Sequence, residues 1–225
     1  MPANPTAKRA RMPNDPPQFD DRFRAELRRL LAWRRDVRRF RRDPVAAEIV
    51  FRLIEIACSA PSVGLSQPWR FVIVQDPGKR RQVVEEFRVC NEAALRAYSS
   101  EYAGRYARLK LAGLEEAPVH IAVFADRDTE QGRSLGRATI PESADYSVVA
   151  AIMTLWLAAR AEGIGLGWVS ILRPCRLAEI LAVPVQWRFI GYLCLGYPDS
   201  ESEQPELERE GWEFRKPTTS FVLLR

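Results

Sequence analysis

The sequence predicts an α+β fold in three layers, with helices on both faces of one central sheet. Three observations carry this. Segments of helical and strand-like pattern follow one another in the order helix, helix, strand, helix, strand, helix, strand, helix, strand. The run Val148–Ala159 is too short to cross a bilayer, yet it is apolar on more than one face and so has to be covered on several sides. The 225 residues are 47% hydrophobic and 28% charged, enough to bury a large core without a disulfide or metal staple.

From the N-terminus, residues 1–18 hold five prolines and little apolar character, which predicts a disordered tail followed by one domain over 19–225. Phe23, Leu27, Leu30 and Leu31 repeat at helical spacing up to Trp33. After a basic loop, Asp43-Pro44 reads as the N-cap and first position of a second helix with Val45, Ile49, Leu53, Ile56 and Ala57 on its apolar face, ending at Pro61. Arg70–Gln75 reads as a strand. Lys79 to about Leu111 is charged and helical, with a break near Gly104. Val119–Phe124 is a second strand, and Asp145–Glu162 is the strongest helix. Gly163–Gly167 reads as a glycine-rich loop leading into a strand at Trp168-Val169-Ser170. A short helix at Leu177–Leu181 and a strand at Phe189–Leu195 precede a polar C-terminal stretch.

Several chemistries fall away at this stage. Cys58, Cys90, Cys175 and Cys194 form no Cys-x-x-Cys pair, which argues against a zinc site or redox dithiol and for reduced thiols. His120 is the only histidine and lies within an apolar strand, so it reads as structural. The N-terminus shows no export signal, and a cytoplasmic location is expected. The net charge of +5 suits a nucleic acid, an anionic surface or a phosphorylated small molecule.

Four segments could carry chemistry. Arg34-Arg35-Asp36-Val37-Arg38-Arg39-Phe40-Arg41-Arg42 packs six arginines into nine positions of a loop. Their planar donor forks match a phosphate, and a solvated basic face is the alternative. Ala60-Pro61-Ser62-Val63-Gly64-Leu65-Ser66-Gln67-Pro68-Trp69 joins a helix to a strand through small polar residues, which suits either a ligand loop or an ordinary connection. Gly163-Ile164-Gly165-Leu166-Gly167-Trp168-Val169-Ser170 permits close backbone approach. Its helix-then-strand order is the reverse of a dinucleotide fingerprint. Phe214-Arg215-Lys216-Pro217 adds two cations late in the chain.

Taken together, over about residues 22–217, these segments resemble the FMN-dependent nitroreductase family. That family carries Arg-Arg-Ser-x-Arg-x-Phe, then Ala-Pro-Ser and Gln-Pro-Trp, a late glycine-rich stretch before a strand, and a terminal cation. The resemblance implies a three-layer fold with a central mixed sheet and a homodimer with FMN at its interface. Two departures stand out: Asp36 replaces the usual Ser, and Leu65 the usual Asn. With Leu109–Leu114 followed by Glu116-Ala117-Pro118, and Gly167-Trp168-Val169-Ser170-Ile171-Leu172, they resemble a branch of the family that consumes its flavin. That branch converts reduced FMN and dioxygen into 5,6-dimethylbenzimidazole, the lower ligand of cobalamin, and erythrose 4-phosphate. NAD(P)H enters only through a separate flavin reductase.

The resemblance further implies that Arg34, Arg35, Val37, Arg38 and Arg215 bind the flavin's phosphate and sugar chain. Ser62 would reach it from the partner subunit, Leu111 would close over it, and Gly167 and Ser170 would lie by the ring. Asp36 and Ser170 would be catalytic: a carboxylate can take a proton where the Ser it replaces is a poor base. A conventional NAD(P)H-dependent nitro or quinone reductase, and a non-catalytic FMN-binding protein, are the alternatives. A nucleic-acid binder is disfavoured because such modules interleave aromatics with their cations, and Phe40 is the only aromatic within the arginine run.

Overall fold

The computed structural model describes residues 16–225, apart from the side chains of residues 100 and 101. Of the expected N-terminal tail only residues 16–18 fall within this range; they are exposed and neither helix nor strand, and the rest lies outside the described residues.

Four strands form the sheet: β1 (Trp69–Ile73), β2 (Val119–Asp126), β3 (Gly165–Val169) and β4 (Trp187–Gly196), in the order β1-β2-β4-β3. The β2 residues Val119 to Ala125 are all buried, because both faces of the sheet are covered. Ile121 and Val123 point toward α2 (Ala47–Ala57) and α5 (Ser143–Ala161). Ala122 and Phe124 point to the other side, where α3 (Pro77–Ala97) and α6 (Pro174–Leu181) lie. The chain thus has the three layers expected of it. The four strands pair antiparallel throughout, rather than as the mixed sheet expected; parallel pairing occurs at a single bridge, from Asp36 to Leu166 on the outer edge of β3.

Local chemistry explains most boundaries. Asp20 caps α1 (Asp21–Trp33) by accepting from Phe23 N–H, and Asp76 caps α3 ahead of Pro77. Pro174 opens α6, and Ala182 closes it in the left-handed region. Three expectations are corrected. Asp43 does not cap α2, which starts at Ala47 without a side-chain cap; the Asp43 carboxylate is taken by Arg41 at 3.1 Å. Of the expected apolar face, Leu53 and Ala57 are buried, along with Val50, and Val45 and Ile49 pack against the core, whereas Ile56 is exposed. The break after α3 falls at Tyr98-Ser99, and Gly104 lies inside α4 (Ser100–Tyr106). Gly165 and Gly167 belong to β3 itself, while Ser170 lies just beyond it. The last turns are α7 (Glu206–Arg209) and a 3₁₀ turn at Thr218–Ser220.

His120 is structural, as expected: buried in β2, with Nδ1 3.0 Å from the Tyr192 hydroxyl. Burial, with a smaller push from Arg80, lowers its pKa from 6.5 to about 4. The folded protein therefore resists protonating His120, whereas the unfolded chain does not. Its contribution to stability is complete above pH 6.5 and disappears as pH falls toward 4. Unfolding titrations in denaturant across this window should show stability declining with acidity, and His120→Gln should flatten that slope. An unchanged slope would refute the assignment. Gly104→Ala, in open space, should be neutral or slightly stabilising. Gly167→Ala should cost about 1–3 kcal/mol, since its Cβ would stand 2.1 Å from the Val37 carbonyl oxygen.

Candidate active site

The arginine-rich loop does not hang in solvent. It lies along the open edge of β3. Val37 N–H donates to Leu166 O at 3.0 Å, and Asp36 Oδ1 accepts from Trp168 N–H at 2.8 Å. One residue of side chain thus does the work of a further strand residue, blunting an edge that would otherwise expose free donors. Val37 packs directly over Gly165 and Gly167, which leave no room for a Cβ. The glycines serve this contact first, a role the sequence alone left undecided.

The same segment fixes the guanidinium groups. Arg34 stacks on the Trp156 ring, with its Cζ 4.6 Å from the ring centre. The Trp156 indole N–H donates to Arg35 O at 3.1 Å. Arg35 spends donors on Glu203 O, Arg34 O and Ala32 O. Arg215 arrives from the C-terminal hook, tethered by its own N–H to Glu208 at 3.1 Å. Burial lowers the Arg34 pKa, Asp36 opposes this, and Arg215 adds to it. Arg35 is lowered by burial, then by Arg215 and Arg34, with Glu203 and Glu208 opposing. Three guanidinium groups that feel one another's charge form a donor set suited to an oxyanion such as a phosphate.

Asp36 is the sole carboxylate among residues 34–42. Its Oδ2 is 2.9 Å from Arg38 Nε, and its side chain remains 32% exposed. Each oxygen accepts one hydrogen bond and keeps capacity for another. Arg38 is 12% exposed and also donates to Lys110 O at 3.0 Å, which ties the loop to the segment carrying Leu111. That segment is closed on itself by the Lys110–Glu116 ion pair at 2.7 Å and held to α3 by Arg88–Glu115. Ser170 is exposed where β3 ends, two residues beyond Trp168.

Arg34, Arg35, Asp36, Val37, Arg38, Arg215, Gly167 and the Leu111 segment therefore gather around the outer edge of β3, with Ser170 at its end. Ser62 does not join them within one chain. Its Oγ accepts from Gln67 N–H at 3.1 Å, and neighbouring Val63 N–H donates to Ser147 near the start of α5. Trp156, which meets Arg34, lies toward the other end of that helix. Ser147 and Trp156 are separated by about 13 Å of helix axis.

Sequence reasoning missed several partners. Trp156, whose ring centre lies 6.4 Å from that of Trp168, lines the site but lies in a segment read only as core. Gln131 holds Leu65 O and the Gln67 side chain, from a stretch between β2 and α5 that has no apolar period to give it away. The Glu208 tether and the Glu86–Arg173 pair, which comes just after Ser170, leave no local sequence signature.

Comparison with known proteins agrees with this architecture. The sequence profile of the nitroreductase family matches residues 31–197. A 5,6-dimethylbenzimidazole synthase of Rhodospirillum rubrum is 54% identical over 201 residues, spanning 89% of this chain and 95% of that protein. One from Rhodobacter capsulatus is 44% identical over 200 residues, spanning 89% and 97%. Among solved structures, iodotyrosine deiodinase bound to FMN and 3-iodo-L-tyrosine superposes with a TM-score of 0.66 at 24% identity, covering 88% of this chain and 97% of that one. With its three layers, its arginine loop on the edge of β3 and these relatives, the chain belongs to the nitroreductase family.

Proposed function

We propose that this protein is a 5,6-dimethylbenzimidazole synthase, an oxidoreductase that fragments reduced FMN with dioxygen to the benzimidazole and erythrose 4-phosphate. The observation that carries the reading is Asp36: a carboxylate stands in the centre of the arginine cluster, where the general family has a hydroxyl, and it keeps free lone pairs and exposure. The 54% identity to a protein of that activity supports it over nearly the whole chain.

The residues present fit FMN. Arg34, Arg35 and Arg215 would hold its phosphate, whose negative charge would offset the repulsion they exert on one another. Arg38 and Val37 would border the sugar chain, with Val37 seated on Gly167 at the edge of β3. Bound reduced FMN supplies both the electrons for dioxygen and the ribityl carbon that enters the product. Asp36 would accept a proton from that carbon, and the two donors on its oxygens keep the carboxylate from rotating away. The Ser170 hydroxyl, exposed where β3 ends, would donate a hydrogen bond to the flavin ring. Leu111, on its strapped segment, shields the site from water.

The site is completed by a second copy of the chain. Phe51 and Ile56 on α2, and Tyr146, Val149 and Met153 on α5, are exposed apolar side chains on two neighbouring helices that a homodimer would bury. Such a dimer brings Ser62 of one protomer to the arginines of the other. Reduced FMN comes from a separate flavin reductase that uses NAD(P)H, in the cytoplasm. No helix among the described residues is long and apolar enough to cross a membrane.

The pure protein mixed with FMN, a flavin reductase, NADH and air should yield 5,6-dimethylbenzimidazole by mass spectrometry. If NADH alone bleaches the bound flavin rapidly under argon and no benzimidazole forms in air, the protein is a conventional reductase instead. Asp36→Ala should bind FMN within a few-fold of wild type and form no benzimidazole; full yield would remove Asp36 from the chemistry. Arg215→Ala should weaken FMN binding about tenfold while leaving riboflavin binding unchanged, since only FMN carries the phosphate. Equal losses for both ligands in a fluorescence titration would refute the clamp.

A further inference from the structure

The loop that carries Ser170 is pinned at both ends by carboxylates from distant parts of the chain. On the strand side, Trp168 N–H donates to Asp36. On the helix side, Glu86 takes hold of Arg173 three times: Oε1 accepts from the backbone N–H at 3.3 Å and from Nε at 2.6 Å, and Oε2 accepts from Nη2 at 2.7 Å. The Cys90 thiol, one turn along α3, is 3.3 Å from Oε1. Glu86 is 5% exposed. Helix α6 starts directly after Arg173 and has no side-chain cap of its own, so Glu86 supplies from α3 the anion that its first turn lacks.

We propose that Glu86 is a positioning residue for the reaction: by clamping Arg173 it holds the Ser170–Leu172 loop so that the Ser170 hydroxyl stays directed at the flavin. This rests on the function proposed above. Three residues of backbone separate the Ser170 and Arg173 Cα atoms by no more than about 11 Å. Ser170 thus has little slack between a paired strand and a clamped helix start. Leu172 is buried and anchors the loop by weight of contact, but an apolar side chain sets no direction. A carboxylate accepting from a forked guanidinium and a backbone amide does.

Stability alone is a poor reason for such a pair. Burying a carboxylate is costly, and here the buried Glu86 is matched by a guanidinium whose side chain is 55% exposed and so partly screened by water. Hydrogen bonding from Arg173 holds the Glu86 pKa down to about 2, so the clamp is charged at every pH at which a cytoplasmic enzyme works.

The test uses the full chain with Glu86→Gln, which keeps the shape and removes the charge. Two quantities are read: amide hydrogen exchange of the 170–174 segment in ligand-free protein, and benzimidazole formed per reduced FMN consumed. Exchange should accelerate about tenfold or more. Benzimidazole yield should fall several-fold while the Kd for FMN moves less than about threefold. Should that variant fail to fold, Arg173→Lys, which keeps the charge and loses the fork, carries the same expectations. A variant with lower melting temperature but unchanged yield per flavin overturns the proposal and leaves Glu86 a stabilising role only. Absence of benzimidazole from the wild type under the same conditions refutes the functional reading, and this proposal with it.

Discussion

The site depends on one backbone contact, the pairing of Asp36 and Val37 with the outer edge of β3. An edge strand offers a row of unsatisfied groups. Here that row is consumed by the segment that also bears the arginines, so the cations are positioned by the sheet rather than by their own long, flexible side chains. Asp36 takes part twice, through its backbone at Leu166 and through its carboxylate at the Trp168 amide. A serine in its place could accept from the same amide. It could not at the same time offer a second oxygen to Arg38 and a lone pair to a substrate proton.

This contact also explains which features were legible in the sequence. The long helices showed themselves because their apolar residues repeat at 3.6 and the strands as short unbroken apolar runs, and α5 and β2 were found almost to the residue. Helix α2 was misplaced at its start because Asp43-Pro44 has the composition of a cap, and nothing local reveals that Arg41 would claim the carboxylate. Gly165 and Gly167 read as a loop because glycine is rare in strands. What suits them to β3 is Val37 lying across it, a contact made by a residue far away in sequence. The Arg34, Arg35 and Arg215 cluster was found through family motifs, and the residue pattern by itself could not separate a phosphate pocket from a solvated face. Trp156 passed as core because its indole does two jobs, packing in the α5 layer and stacking under Arg34.

The balance of charge around the loop has its own logic. Arg39 is neutralised by Glu206 and Arg41 by Asp43, so these two contribute little net field. Arg34 has an aromatic face instead of a carboxylate partner. Arg215 has a carboxylate at 3.7 Å while remaining 68% exposed, a loose pairing that a tighter-binding anion could displace. Of the other arginines in the run, Arg38 is paired with Asp36 and Arg35 is held by backbone carbonyls, so the loop's cations are fixed in different ways rather than left uniformly solvated.

The length of α5 bears on how a complete site is assembled. Near its start, Ser147 holds the turn after Ser62; near its end, Trp156 holds Arg34 and Arg35. A rigid helix between them means that no loop motion within one protomer can bring the two halves together. The same helix exposes Tyr146, Val149 and Met153 along the side facing away from the sheet. In the proposed dimer, two copies of α5 related by a twofold axis would lie against each other in opposite directions, placing the start of one beside the end of the other. The apolar surface that makes a lone chain unsatisfactory in water is then the surface that sets the spacing between Ser62 and the arginines. Folding, assembly and completion of the flavin site would be one event, driven chiefly by burial of that face.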